Sequence, residues 1–184
     1  MLKDFETLVV RGVTGGLMAG HGSQKLFGAF EGPGLQGTAG FMESLGLTPG
    51  HYWGTTAALS EFGGGALTAL GFLNPLGPIG IMSAMGMAWG KAHAGKPIWG
   101  ASGGAELPLT NMAVALAIAM AGPGRYSLDN AFGIKLPTWV GAGAAIAAAA
   151  AVAYGLSSKP AAPPAKEEAR TDLEGGATAN DSNA

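Results

Sequence analysis

The sequence contains no cysteine and few charged side chains. None of its 184 residues is Cys, and only 12% are Asp, Glu, Lys or Arg. A chain without Cys has no disulfide, no thiol redox centre and no Cys-ligated zinc or iron–sulfur cluster. The sequence also lacks the HExxH zinc motif, the Walker loop and the glycine fingerprint of nucleotide-binding proteins. A net charge of −2 without a basic stripe argues against nucleic-acid binding as the main role.

The few charges are unevenly distributed. Residues 1–156 carry 7 basic and 7 acidic side chains, about 9% of that segment, whereas soluble domains average roughly 25%. The 33 glycines lower the mean hydropathy, +0.28, without adding polar side chains. This composition predicts an integral protein of the cell membrane. Residues 157–184 have almost no large apolar side chain, so we expect a disordered hydrophilic tail.

Five segments are apolar enough to suggest membrane spans. A helix needs roughly 20 mostly apolar residues to cross a hydrocarbon core of about 30 Å. The predicted fold is therefore all-α, a polytopic (multi-pass) membrane helix bundle. Residues 1–133 would form a four-helix core, and residues 134–156 a fifth transmembrane helix rich in Ala and Gly. The four core spans are predicted at about residues 5–27, 52–73, 78–92 and 107–121.

Small residues recur along the first span. Gly12, Gly16 and Gly20 lie every four residues on one side of it, a spacing that favours close helix packing in a membrane. Between the first two spans, apolar residues at helical spacing predict a short interfacial or re-entrant helix within residues 28–50. The fifth helix carries no charge and is predicted to be peripheral or a contact surface for a partner.

Ionisable residues inside the spans are the candidate functional groups. Near the middle of a bilayer such a group costs at least ~2.5–3.5 kcal/mol, so it marks a functional site by default. Glu61 lies about ten residues into the second span, and Arg11 about six into the first. At 100° per residue, Arg11, His21 and Lys25 fall within an arc of about 80°. His93 and Glu106, at the ends of the third and fourth spans, extend this polar set.

Several readings of these residues remain open. Arg11 and Glu61 form either a structural ion pair that holds two helices in register or part of a ligand site. Lys25 lies near a helix end, so we expect its ammonium to extend to the lipid headgroups. His21 and His93 are either ligand-binding groups or ordinary hydrogen-bonding side chains. Haem ligation by this pair has no supporting motif.

Five sequence elements together resemble the DoxX family of small prokaryotic membrane proteins. They are Arg11 with His21–Gly28, then Gly37–Gly46, Glu61–Gly64, His93 before the glycine-rich hairpin with Glu106, and the ending G-x-G-x-x-S-L-D at Gly122–Asp129. The resemblance covers about residues 5–133, and the fifth helix and tail lie outside it. It implies a four-helix membrane protein linked to redox processes. One branch of the family provides a membrane subunit of a thiosulfate:quinone oxidoreductase, and another is associated with superoxide dismutase and a sulfurtransferase in oxidative-stress defence.

Two functions follow from the resemblance and the buried charges. The first is a membrane subunit of a redox or oxidative-stress-related complex, with a quinone bound in the bundle and soluble proteins as redox partners. The alternative is a non-enzymatic scaffold or small transporter-like protein whose buried charges are structural. Neither reading fixes whether the chain is itself an enzyme or whether it forms homo-oligomers. The resemblance implies one common site, without catalytic roles, at Arg11, His21, Glu61, His93 and Glu106.

Overall fold

The computed structural model describes residues 2–158, and every regular element in this range is helical. The all-α prediction is confirmed for these residues. The tail from residue 159, predicted to be disordered, lies outside the described range. Seven α-helices are present in residues 2–158: α1 (Leu2–Phe27), α2 (Gly34–Ser44), α3 (Gly50–Leu70), α4 (Leu76–Ala92), α5 (Glu106–Ala121), α6 (Leu128–Phe132) and α7 (Thr138–Ser157).

Glycine and proline separate α3 from α4. Gly71 follows α3 with φ +60°, a left-handed conformation that glycine adopts without a steric penalty, and its N–H donates to the Thr68 carbonyl at 3.0 Å. Pro75 then precedes the first residue of α4. The uncharged run from Phe62 to Gly90 is therefore two helices, because its middle cannot continue as one.

Four helices form a closed ring. α3 packs against α1 and α4, and α5 packs against α4 and α1. The short α2, within the connection predicted to contain a helix, covers α3 and α1 at one end. α7 packs outside this ring against α4. α3 is thus the central helix, and most of its buried residues are small: Gly50, Gly54, Ala58, Gly64, Gly65 and Thr68.

The glycines that bring α1 close to α3 are not those the spacing suggested. A Cβ at Gly15 would collide with the backbone of Ala69, and a Cβ at Gly22 with the backbone of Phe62. Gly12, Gly16 and Gly20 have no neighbouring atom within 4 Å of such a Cβ. The prediction that these three glycines pack within the bundle is wrong. The side of α1 that packs against α3 carries Gly15 and Gly22 instead.

One helix among the described residues is both long and apolar enough to cross a membrane on length and composition alone. It is α7, with 20 residues and a mean hydropathy of 1.6 over its most apolar window, of which 11% is buried. α5 is also apolar but has 16 residues. Glycine-rich α1 and α3 are longer, with 26 and 21 residues, but do not reach the same hydropathy.

Candidate functional site

The carboxylate predicted to lie at mid-membrane is buried and paired. Glu61 in α3 has 3% of its surface exposed. Its Oε2 accepts a hydrogen bond from Nζ of Lys25, in the last turn of α1. The Lys25 side chain is 28% exposed and that of Glu61 is 4% exposed. The Lys25–Glu61 pair therefore joins α1 to α3, with the carboxylate inside and the ammonium nearer the surface.

A cavity of about 120 Å³ lies against this pair. Its walls come mainly from α2, α3, α4 and α7, and most of the side chains on them are apolar. Phe41, Met42 and Trp53 are the largest of these, and Lys25 and Glu61 form part of the lining. An apolar cavity of about 150 Å³ accepts a benzene ring. The space beside the pair is thus of the size of one six-membered ring.

Few polar groups on the cavity wall are available to a ligand. The hydroxyls of Thr56 and Ser83 donate to backbone carbonyls of their own helices at 2.8 and 2.9 Å. Lys91 Nζ donates to the backbone carbonyl that follows α7. Within residues 2–158, the Ser60 hydroxyl and Oε1 of Glu61 make no hydrogen bond. The cavity wall therefore offers the Lys25 and Lys91 ammonium groups, the Glu61 carboxylate and the Ser60 hydroxyl.

Arg11 does not pair with Glu61. α1 and α3 run antiparallel, because Gly15 lies against Ala69 whereas Gly22, later in α1, lies against Phe62, earlier in α3. In this register Arg11 is level with the end of α3, about 18 Å along the helix from the level of Glu61 at 1.5 Å per residue. The structural ion pair considered for Arg11 and Glu61 is therefore wrong. The same register brings Lys25 to Glu61, so the expectation that Lys25 extends to the headgroups is also corrected.

Arg11 instead binds backbone carbonyls at the far end of the bundle. It is 2% exposed, and its two terminal nitrogens donate to the carbonyls of Ala69 and Tyr126. Its Nε has no hydrogen-bond partner among the described residues. The Ala69 carbonyl belongs to the last turn of α3, where the helix dipole favours a cation. Arg11 thus ties α1 to the end of α3 and to the segment before α6.

A buried aspartate completes this end of the bundle. Asp129 is 4% exposed, and its two carboxylate oxygens accept hydrogen bonds from the N–H groups of Leu73 and Asn74, each at 2.8 Å. Its own N–H donates to the Gly71 carbonyl at 3.1 Å. We call Arg11 and Asp129 with these backbone partners the Arg11–Asp129 network. Each charge in it binds main-chain atoms, and neither residue lines the cavity.

His21 lies on the surface of α1. It is exposed, and its Nδ1 is 3.2 Å from Oε1 of Gln24 in the next turn of the same helix. It does not line the cavity, whose contribution from α1 is Lys25. The His21 imidazole therefore contacts a side chain of its own helix and not the cavity.

His93 follows the last residue of α4 and Glu106 is the first residue of α5, so they stand at the two ends of the hairpin between these helices. Nδ1 of His93 is 2.7 Å from the Gly103 carbonyl, and Oε2 of Glu106 accepts from the Gly100 N–H at 2.7 Å. Glu106 is exposed, and neither residue lines the cavity. Both side chains hold the hairpin closed through its backbone.

The five predicted site residues are therefore distributed over three places. Glu61 is the member that lines the cavity; Arg11 lies at the other end of the bundle, and the remaining three are at the surface or in the hairpin. Lys25, which was expected to extend to the headgroups, lines the cavity, and so does Lys91, which was not singled out from the sequence. Within residues 2–158, no group of three or more His, Cys, Asp or Glu is placed to hold a metal ion.

The described residues form an α-helical bundle with a charged pair beside an apolar cavity, and the chain has few charged side chains. These features together are typical of small α-helical membrane proteins. The family comparison makes this specific. Residues 7–94 match the family model described as DoxX. This segment belongs to the DoxX family, and the chain is a DoxX-type membrane protein over these residues.

The family match covers α1–α4 and so includes Arg11, His21, Lys25, Glu61 and His93. It ends before Glu106, the Gly122–Asp129 segment and α7, although the resemblance seen in the sequence extended to about residue 133. No curated protein and no solved structure matches the chain significantly.

Proposed function

We propose that this protein is a multi-pass membrane subunit of a redox or oxidative-stress-related complex and binds a lipid-soluble quinone at the Lys25–Glu61 pair. One observation carries the proposal: a buried ion pair lies on the wall of an apolar cavity of about 120 Å³. Ligand sites combine such an apolar slot with a few convergent polar groups. An ionisable residue inside a membrane bundle is rare without a functional reason.

The residues at the polar end fit a quinone ring. Lys25 Nζ has three donor hydrogens and Glu61 takes one, so others are available to a ring carbonyl. Oε1 of Glu61 is available to accept a hydrogen bond from the hydroxyl of the reduced ring. A bound quinone supplies two-electron, two-proton chemistry. The chain's own residues would bind and orient the ring at Lys25 and Glu61, while a soluble partner would supply the two electrons and water the two protons, since a chain without Cys has no thiol redox centre of its own.

Mass spectrometry of small molecules that copurify with the detergent-extracted protein tests this proposal. We expect about one quinone per protein in the wild type and its loss in a folded Glu61→Gln variant. Glu106→Gln is the matched control, because it neutralises an exposed carboxylate outside the cavity. The proposal fails if the wild type holds only bulk lipid, or if folded Glu61→Gln retains the quinone.

The second candidate function is a membrane scaffold or small transporter-like protein. The Arg11–Asp129 network favours it, because this network shows that the chain uses buried charges to bind its own backbone. On this reading the Lys25–Glu61 pair also serves only to join helices. A Glu61→Gln variant that loses its helical structure, together with a wild type that holds no quinone, supports this candidate.

The multi-pass arrangement has its own test. In a five-pass topology the α4–α5 hairpin and α6 lie on opposite faces of the membrane, whereas a chain anchored by α7 alone has both on one face. The wild type has no Cys, so single Cys residues can be introduced at exposed Ser102 and Ala131. We expect a membrane-impermeant maleimide to label these two variants from opposite sides of sealed vesicles. Labelling of both from the same side contradicts the proposal.

A further inference from the structure

α7 forms one wall of the cavity, although it lies outside the family match. Ala151 and Val152 of α7 are part of the lining. The helix approaches α4 closely, because α4 presents glycines where α7 presents branched side chains. A Cβ at Gly86 would lie 3.8 Å from Cγ1 of Val152, and a Cβ at Gly90 would collide with Leu156. The fit of the Val152 and Leu156 side chains against the glycines of α4 therefore sets the position of α7.

Two side-chain contacts fix the end of α7 nearest the charged pair. The ring of Tyr154 stacks on Trp53 of α3, with ring centroids 6.1 Å apart and an interplanar angle of 21°. Lys91 of α4 donates from Nζ to the backbone carbonyl of Ser158. Trp53 and Lys91 also line the cavity. The residues that hold α7 in place thus belong to the site itself.

The walls of the cavity differ in the size of their side chains. The side formed by α2 and α3 carries Phe41, Met42 and Trp53, whereas α7 contributes Ala151 and Val152. Ala151 is itself exposed and so lies at the mouth of the cavity. Small residues such as Ala84 and Ala88 also line the cavity from α4, so α7 and α4 together set the free volume beside the pair. Each added or removed methyl group at this wall changes the space directly.

We infer that α7 is the specificity-determining wall of the site, where Ala151 and Val152 admit a ligand with one six-membered ring and exclude a fused two-ring system. The inference rests on the proposed function and names its substrate class: a benzoquinone, with its tail leaving through the mouth. A cavity of about 120 Å³ is close to the roughly 150 Å³ that accepts one benzene ring, so a second fused ring would have to lie at the mouth or displace the α7 wall. A single methylene misfit in an apolar pocket changes discrimination by about 10-fold or more.

Binding of two quinone probes to the full-length protein in detergent tests the inference. One probe is a benzoquinone with a ten-carbon tail, and the other a naphthoquinone with the same tail, both followed by quenching of tryptophan fluorescence. We expect the wild type to bind the benzoquinone about tenfold more tightly. Val152→Ala should reduce this preference to about threefold or less by admitting the larger ring. Ala151→Phe should weaken binding of both probes by about tenfold or more.

Ala153→Phe is the matched control, because Ala153 is an exposed alanine of the same helix that does not line the cavity. Its affinities should equal those of the wild type. If Ala151→Phe does not fold, Val152→Ala carries the test, since its effect is a gain of binding. Wild-type affinities in folded Ala151→Phe, or an unchanged preference in Val152→Ala, overturn the role of α7 while leaving quinone binding intact. Absence of binding of either probe to the wild type overturns the proposed function and this inference with it.

Discussion

The two ends of the bundle use buried charge in different ways. At one end, Arg11 is 2% exposed and binds backbone carbonyls, which no substitution can remove. Towards the other, Glu61 is 3% exposed, binds the Lys25 side chain and faces a cavity. A charge committed to the backbone has few donors left for a ligand, whereas a side-chain pair beside open space can exchange its partners. This difference separates the architectural charge from the candidate site.

The largest effect should come from Arg11→Met. The substitution leaves the Ala69 and Tyr126 carbonyls without their donors, and each unpaired buried polar group costs about 1–3 kcal/mol. Removal of the cost of burying the guanidinium offsets part of this loss. We expect the free energy of unfolding to fall by about 2–4 kcal/mol, measured by denaturant titration with tryptophan fluorescence as the readout. A loss below that measured for an exposed control, Arg125→Met, would contradict the architectural role of Arg11.

A smaller change in stability is expected when both members of the Lys25–Glu61 pair are replaced. Replacement of a buried ion pair by apolar residues is often neutral or stabilising, because both desolvation costs disappear with the attraction. For the double variant Lys25→Met with Glu61→Leu, we expect unfolding free energy within about 1 kcal/mol of the wild type. Quinone should be absent from the same preparation. If the double variant is destabilised as much as Arg11→Met, the pair is architectural too, and the two regions do not differ.

The fold was more predictable than the site for physical reasons. The apolar spacing places four helices near their observed positions, because burial of an apolar face and the Pro and Gly breaks are local properties of the chain. The side of α1 that packs was not predictable in this way. Gly12, Gly16 and Gly20 have the regular spacing, yet Gly15 and Gly22 meet α3. A helix with small residues on two faces does not specify by itself which face is covered.

The partner of Glu61 depends on a register that sequence alone leaves undecided. From the predicted spans, Arg11 and Lys25 are offset from the level of Glu61 by similar distances, about 9 and 12 Å at 1.5 Å per residue. The glycine contacts between α1 and α3 settle the choice for Lys25. The position of α7 against α4 could not be predicted for the same reason, because an Ala- and Gly-rich helix has no distinct face that indicates which helix it packs against. Glu61 itself was found from its charge within an apolar run.

The smallest effect should come from His21→Ala, which tests the boundary between the two regions. His21 shares an arc of α1 with Lys25 but is exposed, and its ring contacts Gln24 in the next turn. Exposed substitutions away from buried networks usually change stability by less than about 0.5 kcal/mol. We expect such a change, with quinone affinity unaltered, from unfolding titrations and binding measurements made beside Glu61→Gln. A tenfold loss of affinity in folded His21→Ala would mean that the site extends along α1 beyond the cavity, and that the polar set predicted from the sequence acts as a unit.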